Sequence, residues 1–369
     1  MSFYDILPRR TDDEWLALFG GSSIGEIEKA ILAENPTPRQ FASLLSPAAE
    51  PHLEKMAGKA RATTLKHFGR TIQLFTPIYL SNYCDNTCAY CGFNSANDIA
   101  RKRLSPEEVE KEAAFLASTG LRHILVLTGE SRRMSPVDYM KDCVRVLRTY
   151  FSSLSVEVYP LTEEEYAGLI KEGVDGLTIY QEVYDETIYK RLHGAGPKSD
   201  YRFRLDAPER GARAGMRNVT IGTLLGLDDW RREVFLTGLH AQYLQASFPD
   251  VEIGASIPRI RPHAGSFVPA FTVTDKNIVQ AILALRMFLP RLSLSVSTRE
   301  SPSFRDNIIP LGITRMSAGS MTCVGGHTSV QGAVGEPQFE ISDKRSVADI
   351  MAMLRGKGYQ PVLKDWMRI

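Results

Sequence analysis

The sequence predicts an α/β protein built on a closed (β/α)8 barrel of the TIM type. From about residue 71, short apolar runs alternate with amphipathic segments that begin at helix-capping residues, the pattern of strands followed by helices. About eight such units recur at intervals of roughly 20 to 40 residues, which fits a closed barrel. An open doubly wound sheet is the alternative, but no G-x-G-x-x-G follows a strand to support dinucleotide binding.

Residues 1–70 are predicted to form a helical extension before the barrel. The run Ser23-Ile24-Gly25-Glu26 resembles a capping box, in which the first and fourth residues satisfy each other's backbone amides, and opens a helix through Leu32. Thr37-Pro38-Arg39-Gln40 opens another helix toward Leu45.

Residues 71–334 are predicted to form the barrel, with a parallel strand in each unit. The first four strands are Ile72 to Leu80, His123 to Leu127, Leu154 to Val158 and Asp175 to Tyr180. The helices between them start at capping residues and end near glycine or an aromatic residue: Ser105 to Gly120, Ser135 to Phe151 and Thr162 to Gly173.

The second half of the barrel repeats the pattern. Its strands are predicted at Arg217 to Leu225, Glu252 to Ile257, Leu292 to Ser297 and Ile313 to Met316. Its helices are predicted at Tyr201 to Ala214, Asp228 to Ala246 and Thr274 to Leu289, with a short helix before the last strand. Residues 335–369, with a helix from Val347 to Leu354 and the extended end Gln360-Pro361-Val362, are predicted to cap the barrel.

Composition excludes several classes of protein. The chain carries 44 basic and 43 acidic residues without a basic block, so no nucleic-acid partner is expected. The most apolar candidate for a membrane span, Ile278 to Leu289, is short and contains Arg286, so no membrane partner is expected either. Met1 to Pro8 lack the basic and apolar segments of a signal peptide. We therefore expect a cytoplasmic protein.

Three of the five cysteines, Cys84, Cys88 and Cys91, stand at C-x3-C-x2-C spacing directly after the first strand. An odd total without a secretion signal argues against a disulfide scaffold. Cys143 lies on an apolar helical stripe and Cys323 in a small-residue run, so both are expected to be core residues.

Three clustered thiolates leave a fourth ligand position open. A zinc site would require a fourth protein ligand, yet the seven histidines are scattered, and a redox dithiol would use only two cysteines. An iron–sulfur cluster uses all three and leaves one iron free, so we favour it over zinc and over unrelated buried thiols.

The spacing, with the aromatic Tyr90 directly before Cys91, resembles the signature of the radical S-adenosylmethionine (SAM) enzymes. That family places the motif in the loop after the first strand of a (β/α) barrel, on the face where such barrels keep their active sites. The resemblance implies a barrel of the radical SAM kind, a 4Fe–4S cluster, and SAM bound to the free iron. It also implies reductive cleavage of SAM to a 5′-deoxyadenosyl radical.

The resemblance further implies which residues hold SAM. Gly129 and Glu130, at the end of the second strand, match the motif that receives the methionine amino group, although an ordinary turn glutamate is the alternative. The adenine is expected against the backbone of Tyr90. Three polar residues at the ends of middle strands are available for the ribose, with Glu182 favoured: Glu157, Gln181 and Glu182. Arg204 would suit the methionine carboxylate, or could be a surface arginine.

Further segments spread over nearly the whole chain resemble the 2-iminoacetate synthases, the tyrosine lyases of thiamine thiazole assembly. They include Ile78 to Cys84, Ile179 to Tyr184, Gly222 to Leu227, Met316 to Ser320 and Gly358 to Trp366. The implied reaction breaks the Cα–Cβ bond of L-tyrosine to give 2-iminoacetate and 4-cresol. Thiazole synthase is the implied consumer of the imine, and a flavodoxin or ferredoxin the implied reductant.

Three residues are expected to form the substrate site. Arg299 suits the substrate carboxylate, since a guanidinium binds carboxylate in a bidentate way, and an ion pair with Glu300 or Asp306 is the alternative. Ser317 and Tyr79 match positions that line the same pocket in related lyases, and Tyr79 could instead be a plain barrel-lining aromatic residue.

Cysteine content separates this chain from two related enzymes, while a third is excluded less firmly. The tyrosine lyase of hydrogenase maturation carries a second three-cysteine motif, and no cysteine follows Cys323 here. Biotin synthase needs further cysteines, for which Cys143 and Cys323 are too few. A tryptophan lyase would keep Arg299 and differ in the slot for the ring, so it remains open.

Overall fold

The computed structural model describes residues 2–329 and 336–364. Its centre is a closed ring of parallel strands, in which β1 pairs with both β2 and β8. The eight strands are β1 Thr71–Ser81, β2 His123–Thr128, β3 Ser153–Glu157, β4 Gly176–Glu182, β5 Asn218–Thr223, β6 Glu252–Ser256, β7 Ser293–Val296 and β8 Arg315–Ser317. The (β/α)8 barrel predicted from the sequence is confirmed.

In the described part of the chain, five α-helices precede the barrel: α1 Phe3–Ile6, α2 Asp12–Gly20, α3 Ile24–Leu32, α4 Pro38–Leu45 and α5 Leu53–Phe68. Ser23 and Thr37 form the capping boxes that the sequence predicts for α3 and α4. The extension packs on the outside of the barrel, where Phe41 stacks on Phe288 with ring centroids 4.3 Å apart.

Helices around the outside connect the strands: α6 Pro106–Ser118, α7 Val137–Leu147, α8 Glu163–Glu172, α9 Glu186–Leu192, α10 Tyr201–Leu205, α11 Ala207–Arg213, α12 Trp230–Ser247, α13 Asp275–Phe288 and α14 Pro302–Ile308. The single helix predicted over 201–214 is divided at Asp206. Pro208 has no backbone N–H to continue the first helix, and it occupies the first turn of α11, where none is needed.

The last described segment touches both ends of the barrel. Residues 336–343 cross the carboxyl ends of the strands, where Glu340 N donates to Pro262 O at 2.9 Å and Ser342 N to Thr298 O at 2.9 Å. Helix α15, Val347–Gly356, then leads to β9, Gln360–Val362, which pairs with the start of β1. Residues 330–335, with the predicted domain boundary, and residues 365–369 lie outside the described residues.

The hydrophobic core lies between the strands and the surrounding helices. Cys143 and Cys323 are both buried, as predicted, and Cys143 belongs to this core. Among the described residues, every helix is too short or too polar to span a bilayer.

Candidate active site

The loop after β1 holds the three cysteines and is braced by its own polar side chains. The Asn82 amide oxygen accepts from the backbone of Lys102 at 2.7 Å. The guanidinium of Arg101 donates to the carbonyl oxygens of Phe93 and Asn94 at 2.8 and 2.6 Å. These bonds satisfy backbone groups that no helix or strand would satisfy, and so hold the loop at the carboxyl end of β1.

Cys84, Cys88 and Cys91 are free thiols. Burial raises the pKa of Cys84 to about 11, and it also raises the pKa of Cys88 and of Cys91. Thiols in such surroundings become thiolates when a metal supplies the compensating charge. This donor set, three sulfurs with no disulfide partner, fits a cluster with three protein thiolates.

The single-zinc alternative gains no support from the geometry. Among the described residues, no three His, Cys, Asp or Glu side chains converge closely enough to hold one metal ion. A zinc ion would need its ligand atoms within about 2.0 to 2.3 Å.

A buried ion network lies beside the cysteine loop. Glu130 accepts from Arg204 at 2.8 Å and from the Asn86 amide at 2.9 Å. Burial alone would raise the pKa of Glu130, but the charges of Arg204 and Lys198 overcome burial and hold that pKa below its usual value. Arg204 is 5% exposed, so the surface-arginine alternative is wrong.

Lys198 belongs to this network and was missed by sequence reasoning. Its ammonium lies 2.7 Å from Glu182 and 5.7 Å from the centroid of the Tyr90 ring. Its backbone amide donates to the Asn86 side chain at 2.8 Å, which ties the loop after α9 to the cysteine loop. A lysine in a Gly-Ala-Gly-Pro-Lys turn carries no periodic signal, so only the packing of two distant loops reveals it.

A bulge in β4 directs Glu182 into the cavity. The register with β5 shifts between Tyr180 and Glu182, and Glu182 has φ +72°, which a side chain with a Cβ rarely adopts. Tyr180 and Glu182 both line the cavity, whereas Gln181 is not among the residues that line it. Both amide atoms of Gln181 are buried without a hydrogen-bond partner among the described residues.

Gly129 and Tyr90 owe their positions to close packing around the loop. A Cβ at Gly129 would lie 2.3 Å from the carbonyl oxygen of Tyr83, so a glycine is needed where β2 ends. The Tyr90 hydroxyl lies 2.6 Å from Nε2 of His193, and Nδ1 of His193 lies 2.8 Å from the carbonyl of Tyr189. Burial lowers the pKa of His193 to about 2, so the imidazole is neutral and accepts from the hydroxyl.

Arg299 follows β7 and lines the same cavity as Glu182. Its guanidinium stacks over the ring of Phe339, 3.3 Å from the centroid, and forms no ion pair or side-chain hydrogen bond within the described residues. The alternative partners are engaged elsewhere: Glu300 accepts from Arg259 at 3.0 Å, and Asp306 accepts from Arg345 at 2.8 Å. Burial lowers the pKa of Arg299, as expected for a desolvated cation.

Tyr79, Ser317 and Glu157 line the same cavity as Arg299. The Tyr79 hydroxyl donates to the side-chain oxygen of Gln338 at 2.8 Å, and the Ser317 hydroxyl accepts from the backbone of Thr298 at 3.1 Å. Burial, and then the neighbouring charge of Glu182, raise the pKa of Glu157 to about 7.

The cavity has a volume of about 180 Å³ and extends into the barrel interior. A (β/α)8 barrel is usually filled by layers of Val, Ile and Leu. Here small polar residues line much of the interior: Ser153, Ser155, Thr178, Thr220, Ser256, Ser295 and Ser297. The short side chains leave space inside the barrel next to the cysteine loop.

Known proteins resemble this chain over most of its length. The model of the radical SAM superfamily matches residues 78–236, and that of the Biotin and Thiamin Synthesis associated domain matches residues 256–360. The 2-iminoacetate synthase of Escherichia coli (strain K12) is 40% identical over 347 residues, 94% of this chain and 92% of that protein. This chain belongs to the 2-iminoacetate synthase family of radical SAM enzymes. The synthase of Salmonella typhimurium is 39% identical over the same shares of the two chains.

A solved structure of a related enzyme has the same fold. The crystal structure of HydG, a maturase of the FeFe-hydrogenase, superposes with a TM-score of 0.88 at 33% identity, covering 96% of this chain and 80% of HydG. Family membership makes this protein a radical SAM enzyme and implies a 4Fe–4S cluster and SAM as its cofactors.

Proposed function

We propose that this protein cleaves the Cα–Cβ bond of L-tyrosine to give 2-iminoacetate (dehydroglycine) and 4-cresol, for the thiazole moiety of thiamine. The observation that carries this proposal is the Arg299 guanidinium, which faces an internal cavity without a carboxylate partner among the described residues. A buried cation in that state favours a ligand with a carboxylate. The related synthases of Escherichia coli and Salmonella typhimurium are named for the product, 2-iminoacetate.

The cofactors are assigned to one side of the cavity. Cys84, Cys88 and Cys91 would hold the cluster, and the Glu130–Arg204 pair would bind the ammonium and carboxylate of the SAM methionine end, since each charge has a complement there. When bound, the cluster and SAM supply a 5′-deoxyadenosyl radical, which removes a hydrogen atom from the substrate.

Contacts to the rest of SAM complete this assignment. Glu182, directed inward by the bulge, would accept from the ribose, and the backbone of Tyr90 would contact the adenine. Glu157 and Gln181 are further candidates for the ribose. Glu157 lines the cavity, whereas Gln181 is not among the lining residues.

The substrate is assigned to the other side. Arg299 would bind the carboxylate of tyrosine, while Tyr79 and Ser317 would border the amino acid. Phe339 covers the outer face of the Arg299 guanidinium, which keeps water from competing for it.

The proposal extends to partners and compartment. We infer that thiazole synthase receives the imine and that a flavodoxin or ferredoxin reduces the cluster. Five free cysteines fit a reducing compartment such as the cytoplasm. We infer that residues 71–334 form the catalytic barrel, with residues 1–70 and 335–369 as its extensions.

The test is an anaerobic product assay. The reconstituted protein is incubated with dithionite, SAM and either L-tyrosine or L-tryptophan, and the products are analysed by mass spectrometry. The proposal expects 4-cresol from tyrosine. Fragmentation of tryptophan without any 4-cresol from tyrosine would instead indicate a tryptophan lyase of the same family.

A further inference from the structure

A glutamine from the carboxyl-terminal segment reaches the cysteine loop. The side-chain nitrogen Nε2 of Gln338 lies 3.8 Å from Sγ of Cys91, within hydrogen-bond range for sulfur, and its oxygen Oε1 accepts from the Tyr79 hydroxyl at 2.8 Å. One amide therefore contacts both a cysteine sulfur and a residue of the substrate side of the cavity.

The backbone around Gln338 holds this side chain in place. Its amide donates to Thr322 O at 2.9 Å, and its carbonyl accepts from Gly92 N at 3.2 Å. A Cβ at Gly92 would lie 2.6 Å from that carbonyl oxygen, so the two chains approach as closely as a glycine permits.

At its other end the Gln338 amide is hydrogen-bonded to the hydroxyl of Tyr79. Because Oε1 accepts from that hydroxyl, the N–H group is the one directed at Cys91. A thiolate ligand carries partial negative charge, so an N–H group stabilises it where a carbonyl oxygen would repel it.

We propose that Gln338 raises the reduction potential of the cluster by donating an N–H to the Cys91 thiolate, and that Tyr79 orients the amide for this purpose. The inference rests on the cluster assigned above to Cys84, Cys88 and Cys91. Reduction adds negative charge to a cluster, and hydrogen bonds to its sulfurs stabilise the reduced form. Gln338 is thus a positioning residue that links the substrate side of the cavity to the cluster.

The test is an anaerobic redox titration of the full-length holoenzyme, followed by electron paramagnetic resonance without substrate. Gln338→Leu removes the N–H at similar volume. We expect it to shift the reduction equilibrium roughly two- to tenfold toward the oxidised form, as for the loss of one hydrogen bond. For one electron a tenfold shift is about 59 mV, here to lower potential. Iron and sulfide analysis confirms that both proteins carry full clusters.

Thr322→Val is the matched control. It removes the hydroxyl that donates to Phe339 O at 2.9 Å, so it loosens the same segment while leaving the Gln338 amide in place. Its potential should equal that of the wild type. If the Gln338→Leu protein fails to assemble a cluster, Tyr79→Phe takes its place. Tyr79→Phe frees the Gln338 amide to rotate, so it should also lower the reduction potential, by a smaller amount.

The outcomes are separable. If Gln338→Leu has the same reduction potential as the wild type, the inference is overturned and the proposed function stays intact. The same conclusion holds for Tyr79→Phe where that variant is used instead of Gln338→Leu. The inference is also overturned if Thr322→Val lowers the reduction potential as much as Gln338→Leu does. Loosening of the carboxyl-terminal segment, and not loss of the N–H group, would then be the cause of the shift. A wild type without any paramagnetic cluster after reduction would overturn the proposed function and this inference with it.

Discussion

At the scale of single residues, Arg299 shows how burial and the occupation of neighbouring groups identify a binding residue. The two carboxylates nearby in sequence, Glu300 and Asp306, could have neutralised Arg299. Each is bound by another arginine instead, Glu300 by Arg259 and Asp306 by Arg345. The guanidinium is thus available to a ligand in a cavity where desolvation strengthens electrostatic attraction.

Arg299→Ala should leave the cluster intact and weaken the binding of tyrosine. A hydrogen-bonded charge pair is worth about 1.5 to 3 kcal/mol, so we expect KM for tyrosine to rise roughly 10- to 100-fold. The KM of Arg299→Lys should lie between those of the wild type and Arg299→Ala, because an ammonium keeps the charge but lacks the bidentate geometry. Steady-state kinetics measure this, with the exposed Arg291→Ala as control. An unchanged KM in Arg299→Ala would make Arg299 structural.

Glu157 should make the stability of the cofactor-free protein depend on pH. Its pKa is raised to about 7 in the fold, so between about 4.5 and 7 the unfolded state loses a proton that the folded state keeps, and stability falls as pH rises. Glu157→Gln removes this loss. Its gain in unfolding free energy should be larger at pH 8 than at pH 5, by roughly 2.5 kcal/mol. Urea denaturation at both pH values measures it, and an equal effect of the substitution at both would contradict the account.

The motif residues were predictable from sequence, because the spacing of the cysteines and the position of Gly129 and Glu130 after β2 carry their own signals. Lys198 and Gln338 were not. Each reaches the site from a segment without periodic structure, and its position depends on contacts with residues more than 100 positions away in sequence.

At the scale of elements, strand existence and order followed from the apolar periodicity, while the irregularities that build the site did not. The bulge at Gln181 and the positive φ of Glu182 leave no trace in the pattern of apolar residues. The break between α10 and α11, by contrast, has a signal in the sequence. Pro208 interrupts the helix although the apolar pattern on either side is helical.

Gly129→Ala tests how tightly β2 is fitted to the cysteine loop. The added methyl group would press on the backbone of Tyr83, one residue before Cys84, so the loop must shift. We expect less iron per chain after anaerobic reconstitution and a lower melting temperature. Gly58→Ala is the control: it lies in α5 with no atom within 4 Å of the new Cβ, and should stabilise the protein by about 1 kcal/mol. Full iron loading of Gly129→Ala would refute this tight fit.

At the scale of the whole molecule, the barrel encloses its reaction space because its interior side chains are short. A barrel packed with Val, Ile and Leu has no such space. The sequence predicted the barrel, but the depth of the cavity depends on which alternate strand positions face inward, and three-residue strands such as β8 show no alternation from which to read this.

Thr178→Leu should fill part of that interior. Thr178 lines the cavity and makes no side-chain hydrogen bond within the described residues, so the larger apolar side chain should not unfold the protein. We expect a melting temperature within a few degrees of the wild type and a KM for tyrosine about tenfold higher. Unchanged kinetics in a well-folded variant would show that the substrate does not enter this part of the barrel.

The central claim is that three cysteines of this chain hold a cluster whose remaining iron is open to SAM. The most direct measurement is the electron paramagnetic resonance spectrum of the reduced, anaerobically reconstituted protein, recorded before and after SAM is added. The account predicts a spectrum that changes on addition of SAM, because SAM takes the open position. A spectrum that SAM leaves unchanged, in a protein with about four irons per chain, would contradict it.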